Sequence, residues 1–265
     1  MRVRVLVWSS ALLLSLIRPC PVEAQGGPPY FTNDPATPGP FRWEINLGYI
    51  PVVSPVESEA SIPDVDLNFG LGNRIQLTFE VGWMRLAAKP EPPRYGVSQD
   101  EIGVKWRFYD DDKQGLAISV FPQVAINNPA SSSVEPDEGA SLTLPVQISK
   151  RLGPVSVDGE FGYRIVHGGP NGWLVGVVAG HEKTIGHKKP KILEFDFEFY
   201  ASGDVDGQVS HETIGGGVRY KVHPPVIVLA MAGWGIHRVL ESQPSFVAYA
   251  GLQFLLPPRP FEKGD

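Results

Sequence analysis

Between residues 193 and 199 apolar and acidic side chains take strict turns. Leu193, Phe195, Phe197 and Phe199 fall on one face of an extended strand, and Glu194, Asp196 and Glu198 on the other. The same period of two runs through 41–49, 65–71, 75–83, 101–108, 116–120, 142–148, 155–164, 173–177, 213–220 and 246–254. Residues 226–236 are apolar on both faces, so a strand is expected there without a readable register. The count is about twelve strands, an even number of the kind bacterial outer-membrane barrels carry. No stretch of useful length shows the helical period, and nothing after the first residues approaches the roughly 18 apolar residues of a membrane-spanning helix.

The two faces differ in a way that bears on environment. Four bulky apolar residues in a row suit lipid, whereas three acids could hardly share a dry core. An all-β, antiparallel transmembrane β-barrel, with lipid outside and water inside, accommodates both faces. Strand parity alone is also met by a secreted soluble β-sandwich or lipocalin-like binder, whose apolar face would point inward. The barrel reading places Arg42, Glu44, Asp66, Glu80, Glu101, Lys105, Arg107, Glu160, Arg164, Glu194, Asp196, Glu198 and Arg219 inside. They are the candidate pore-lining residues. They could equally neutralise one another in a sealed interior, and a narrow or partly plugged pore is the favoured expectation. Aromatic residues near strand ends (Trp43, Tyr49, Trp83, Phe108, Tyr163, Trp173, Tyr220, Trp234) fit two interfacial girdles.

The segments between strands divide the chain. Arg2 and Arg4, an apolar stretch over 5–17 and Val22-Glu23-Ala24 read as a secretory signal peptide, 1–24, cleaved after Ala24. A proline- and glycine-rich extended lead-in follows over 25–40, then the barrel over 41–256 and a tail over 257–265. Gly72-Asn73 suits a tight hairpin, since both residues tolerate positive φ. Connectors at 51–63, 84–99 and 125–139 are long and those between them short. Outer-membrane barrels have long outer loops and short periplasmic turns, so both termini are expected in the periplasm. The alternation weakens in the second half, where 166–171 is short.

Charge and reactive residues narrow the chemistry. A net charge of −6 makes nucleic acid a poor partner. The single cysteine, Cys20, lies in the signal segment, so the mature chain has neither disulfides nor thiolate ligands. His181-Glu182 and His211-Glu212 are strand neighbours and point to opposite faces. The remaining histidines show no metal-ligand spacing. Ser210-His211-Glu212 is the one local group with the residue types of acyl-transfer catalysis, and a solvated loop edge explains it more simply. Gly215-Gly216-Gly217 falls within a strand, where it permits a bend or close packing. The expectation is no catalytic site, no cofactor and no metal.

Two stretches resemble a known family. Pro29-Tyr30-Phe31-Thr32-Asn33-Asp34-Pro35 with Pro38-Gly39 and Trp43-Glu44, and Phe69-Gly70-Leu71-Gly72-Asn73-Arg74-Ile75-Gln76-Leu77, are similar to segments of the outer-membrane barrels labelled "meta-pathway of phenol degradation". An acid often stands there at the place of Asn73. The resemblance implies a barrel acting as a channel or transporter for small organic molecules, aromatic ones among them, and it supplies no catalytic motif. Residues 249–256 also resemble the C-terminal signal read by the barrel-assembly machinery. The expected partners are therefore outer-membrane lipid, that machinery and a small-molecule solute. The alternatives are a non-transporting outer-membrane barrel with a structural, adhesive or lipid-acting enzymatic role, and the soluble binder.

Overall fold

The computed structural model describes residues 27–127, 134, 139–186, 191–207, 209–237 and 240–257. The expected signal peptide and nearly all of the expected tail lie outside them. Fourteen strand segments follow one another: β1 (Trp43–Val53), β2 (Glu57–Leu71), β3 (Ile75–Ala88), β4 (Arg94–Val97), β5 (Asp100–Asp111), β6 (Leu116–Val120), β7 (Gln123–Ile126), β8 (Ser141–Leu152), β9 (Val155–Val166), β10 (Gly172–Ile185), β11 (Lys191–Asp204), β12 (Val209–His223), β13 (Val226–Gly235) and β14 (Phe246–Leu256). Every pairing is antiparallel. β4 and β5 both lie along β3, and β6 and β7 both lie between β5 and β8, so each pair forms one interrupted stave. Twelve staves result among the described residues. The ring closes where β1 pairs with β14, from Trp43 opposite Leu256 to Val53 opposite Phe246.

The interruptions have local causes. Pro122, between β6 and β7, has no N–H to give the ladder. Its carbonyl still accepts from the Val104 N–H at 3.0 Å, and the Phe121 N–H reaches the Pro145 carbonyl at 3.1 Å. Between β4 and β5 the Ser98 N–H donates to the Gly82 carbonyl, while the Ser98 hydroxyl accepts from the Gly82 N–H, each at 2.8 Å. The wall therefore stays hydrogen-bonded across both breaks.

Burial settles which face is which. On β11, Phe195 and Phe197 are 50% and 52% exposed, while Glu194, Asp196 and Glu198 are 5%, 7% and 2% exposed. The same sorting holds around the ring, with Leu77, Ile102, Val104, Val146 and Phe161 outside and Gln76, Thr78, Lys105, Gln147 and Glu160 inside. A soluble barrel has the opposite polarity. β13 supplies the register that its sequence leaves open. Ile227, Leu229 and Met231 face inward and, with Val247 and Tyr249 of β14, make an apolar patch on the inner wall.

The outer aromatics form two bands. Trp43, Trp106, Phe108 and Tyr220 stand near the end that carries both chain termini; Trp83, Tyr163 and Trp234 stand near the opposite end. Ile75 of β3 pairs with Trp106, so eight residues separate that level from Trp83. At about 3.4 Å per residue and a tilt near 40°, the bands lie roughly 20 Å apart along the axis, a little less than the ~25 Å of an outer-membrane apolar belt.

The connectors depart from the sequence reading. β1 runs to Val53 and β2 starts at Glu57, while β3 runs to Ala88 and β4 starts at Arg94. Most of 51–63 and 84–99 is therefore strand joined by short turns. These extensions lie beyond the lipid-facing stretch, where alternation fades because neither face needs to be apolar, yet the ladder continues (Ala60 opposite Arg85, Ser58 opposite Ala87). Most of 125–139 lies outside the described residues.

Phe197 sits midway along β11 on the lipid face. Phe197→Arg should lower folding stability in phospholipid vesicles by about 2–4 kcal/mol, as for basic residues at a bilayer midplane. Denaturant titration of the vesicle-folded protein measures this, and an unchanged midpoint would contradict the assigned faces.

Candidate functional site

The lumen contains part of the chain's own N-terminal segment. Residues 27–40 do not lead up to the barrel from outside. They fold back inside it, with Tyr30, Thr32 and Asp34 only 5%, 0% and 4% exposed. Glu198 accepts from both the Thr32 N–H and the Thr32 hydroxyl, each at 2.8 Å. Glu160 accepts from the Asn33 N–H at 3.0 Å, and Asp34 lies 3.9 Å from the Lys105 ammonium. Arg219 donates to the Gly27 carbonyl at 2.9 Å and stacks over the Tyr30 ring. Phe31 packs between Tyr200 and His211. Two wall glycines make room: a Cβ on Gly176 would stand 2.1 Å from the Thr32 hydroxyl, and one on Gly217 2.6 Å from the Tyr30 hydroxyl. Gly217 thus accounts for one member of the glycine run on β12.

What the segment leaves open is a cavity of about 860 Å³. Its lining extends from Arg42 and Pro257, near the terminal end, to Leu174 and Ser202 in the opposite half. Nine of the sequence-nominated residues border it: Arg42, Glu44, Asp66, Glu80, Glu101, Lys105, Glu160, Arg164 and Arg219. Glu194, Asp196 and Glu198 also face inward but do not border it; Glu198 is covered by the luminal segment. Arg107 stands apart towards the C-terminal end of β5, 3.3 Å from Asp110 and donating to the Asn73 carbonyl at 2.7 Å. It borders a smaller cavity of about 270 Å³.

Side-chain networks fix the wall. Asp66 accepts from Asn46 and Asn68 at 2.9 Å, and the Asn68 carbonyl oxygen accepts from Gln76 and Thr78, both at 2.6 Å. On the other side a chain runs from the Ser119 hydroxyl through Gln147 to Glu160. Cross-strand polar pairs of this kind hold a water-facing wall rigid. The nominated set left out Asp64, Lys221, Tyr249 and Gln253, which also line the cavity. For Asp64, Tyr249 and Gln253 the signal was strand parity; Tyr249 and Gln253 fall on the inward phase of β14.

His181 and His211 have structural partners. His181 contacts the Pro154 carbonyl at 2.8 Å, and His211 lies 3.2 Å from the Thr213 hydroxyl within the Phe31–Tyr200 aromatic group. Glu212 points the other way, 3.8 Å from His237. Histidine and acid therefore do not converge at 211–212.

No protein-family model matches the chain, and no curated protein matches it. Among solved structures the chain is similar to the COG4313 outer membrane channel from Pseudomonas putida F1, with 10% identity and a TM-score of 0.53 over 88% of this chain and 100% of that one. It is also similar to the KdgM porin, with 11% identity and a TM-score of 0.50 over 80% and 98% of the two chains. The likeness is one of fold: a closed antiparallel β-barrel of the outer-membrane type.

Glu198→Ala would leave two buried donors of Thr32 without an acceptor, at about 1–3 kcal/mol each. The amide protons of Thr32 and Asn33 should then exchange with solvent at least about tenfold faster than in the parent chain. Unchanged exchange would show that the luminal segment is held by other contacts.

Proposed function

We propose that the chain is a narrow outer-membrane channel or transporter for small organic molecules, exported with a signal peptide cleaved after Ala24. The supporting observation is the polarity of the barrel. Its exterior suits lipid, and its interior holds a charged, solvent-sized cavity running along most of the axis. The luminal segment narrows that path without filling it. The nine nominated residues that border the cavity are the pore-lining set in this reading. The fold of the similar structures is consistent with the proposal, and the resemblance of 29–35 to the phenol-pathway barrels supports an organic solute.

Selectivity follows from the charge on the walls. Seven acids and five basic residues border the cavity, so its field favours cations. The refolded protein in planar bilayers should show small steps of conductance and a reversal potential displaced toward the cation equilibrium potential in a salt gradient. Folded protein that gives neither conductance nor solute flux in vesicles would remove the channel reading.

The proposal also fixes an orientation, with the terminal end in the periplasm. An epitope inserted at Glu91, in the turn between β3 and β4, should be labelled on intact cells. One in the Asp110-Asp111-Asp112 turn should be labelled only after permeabilisation. The converse pattern would reverse the orientation.

A further inference from the structure

One level of the cavity wall has an unusual composition. Gln253, Asn46, Asp66, Glu80 and Glu101 are directly opposed in register across β14, β1, β2, β3 and β5. The last three are carboxylates on adjacent strands, with Cα atoms roughly 5 Å apart, and Asp64 stands two residues from Asp66 on the same face of β2. Like charges set directly opposite one another destabilise a sheet. Among the described residues no Lys, Arg or His lies within ion-pairing distance of Asp64, Asp66, Glu80 or Glu101. Lys105, four residues along β5 from Glu101, is engaged by Asp34 and by the Phe121 ring. Asp66 accepts from Asn46 and Asn68, Asp64 from Ser61, and Glu101 from Gln123. Glu80, at the centre of the row, has neither a hydrogen bond nor an ion pair among the described residues, and it borders the cavity.

A second feature, independent of the acids, points the same way. Gln253 and Tyr249 line the same cavity at 2% and 5% exposure, yet Gln253 Oε1 and the Tyr249 hydroxyl have no hydrogen-bond partner. Asn46 Oδ1, between Gln253 and Asp66, has none either. The Tyr249 ring is held against bare backbone, since a Cβ on Gly48 or Gly251 would stand 2.8 or 2.6 Å from it. Buried polar atoms are normally paired. Orphan acceptors beside unpaired carboxylates lack one thing, a donor that also carries positive charge.

The shape of the row narrows the class of ligand. The carboxylates are strung out across three strands, and among the described residues no three acids or histidines converge as a metal ion requires. An elongated cation with several N–H donors fits this spacing better than a point charge. We propose that this wall is a binding subsite for a linear di- or polyamine, with its ammonium groups on Glu80 and its neighbours Asp66 and Glu101, and with Tyr249 and Gln253 accepting from one end. The subsite deepens the channel reading and rests on it for the route by which the amine arrives.

The test uses the mature chain refolded in detergent, with butane-1,4-diamine and spermidine as probes and butane-1,4-diol and calcium chloride as comparators. Binding is measured calorimetrically at low salt, and conductance is measured separately in bilayers. The amines should bind and the diol should not. The double variant Glu80→Gln/Glu101→Gln should lose about tenfold or more in amine affinity, while Glu91→Gln in the outer turn should bind as the parent does. Tyr249→Phe keeps the ring and its packing and should weaken binding severalfold, which preserves the test if the double variant fails to fold. Diol binding as tight as diamine, calcium binding tighter than spermidine, or amine affinity indifferent to both variants would overturn the subsite. Conductance without amine binding would remove the subsite and leave the channel. Amine binding sensitive to these variants in a protein that never conducts would remove the channel and leave the subsite.

Discussion

Everything in this molecule depends on closing the ladder between the first stave and the last. Backbone N–H and C=O groups facing lipid have no water to bond, so a sheet can enter a bilayer only if it has no free edge. The pairing of Trp43–Val53 with Phe246–Leu256 removes that edge. Closure then divides every strand into a face toward lipid and a face toward an enclosed lumen. The first must be apolar, and the second is free to be charged. The phenylalanines and acids of β11 follow from that division, as do the aromatic bands at its two limits.

Closure creates an interior too wide for twelve rows of side chains to fill without help. The luminal segment supplies part of the filling, and its contacts show how a polar core is satisfied without base-to-acid symmetry. Glu198 and Glu160 are bonded chiefly by N–H and O–H donors from Thr32, Asn33 and Gln147 and not by lysine or arginine. Glu80 of β3, by contrast, accepts nothing from the segment and borders the cavity without a partner among the described residues. The same lumen therefore has a packed side and a receptive side. The receptive side is where a solute would interact with the protein.

Much of the fold is legible in the sequence because the membrane enforces its pattern. Residues 193–199 alternate strictly since one face meets lipid and the other does not, and the inside and outside sets fall where parity puts them. The pattern fails where that constraint lapses. Residues 57–61 and 84–88 pair as strands beyond the lipid belt, with mixed polarity on both faces, and so read as loops. β13 is apolar on both faces because its inner side packs against Tyr30 and the patch with Val247, a tertiary contact that local alternation does not encode. The path of 27–40 is hidden for a related reason. Proline and glycine mark it as irregular, but its fixed position comes from distant partners such as Glu198 and Arg219. In the site, the charged residues stand out individually, whereas the row of Asp66, Glu80 and Glu101 exists only in the strand register.

The central claim is that the charged face encloses water while the apolar face meets lipid, and β3 offers the most direct measurement. Single nitroxide labels at residues 77 to 81, in protein folded into vesicles, report collision with dissolved oxygen in lipid and with a water-soluble nickel chelate in the lumen. The account predicts high oxygen accessibility at 77, 79 and 81 and low oxygen accessibility with contact to the aqueous chelate at 78 and 80, a period of two in opposite phase for the two probes. Oxygen maxima at 78 and 80, or a profile without that period, would contradict it.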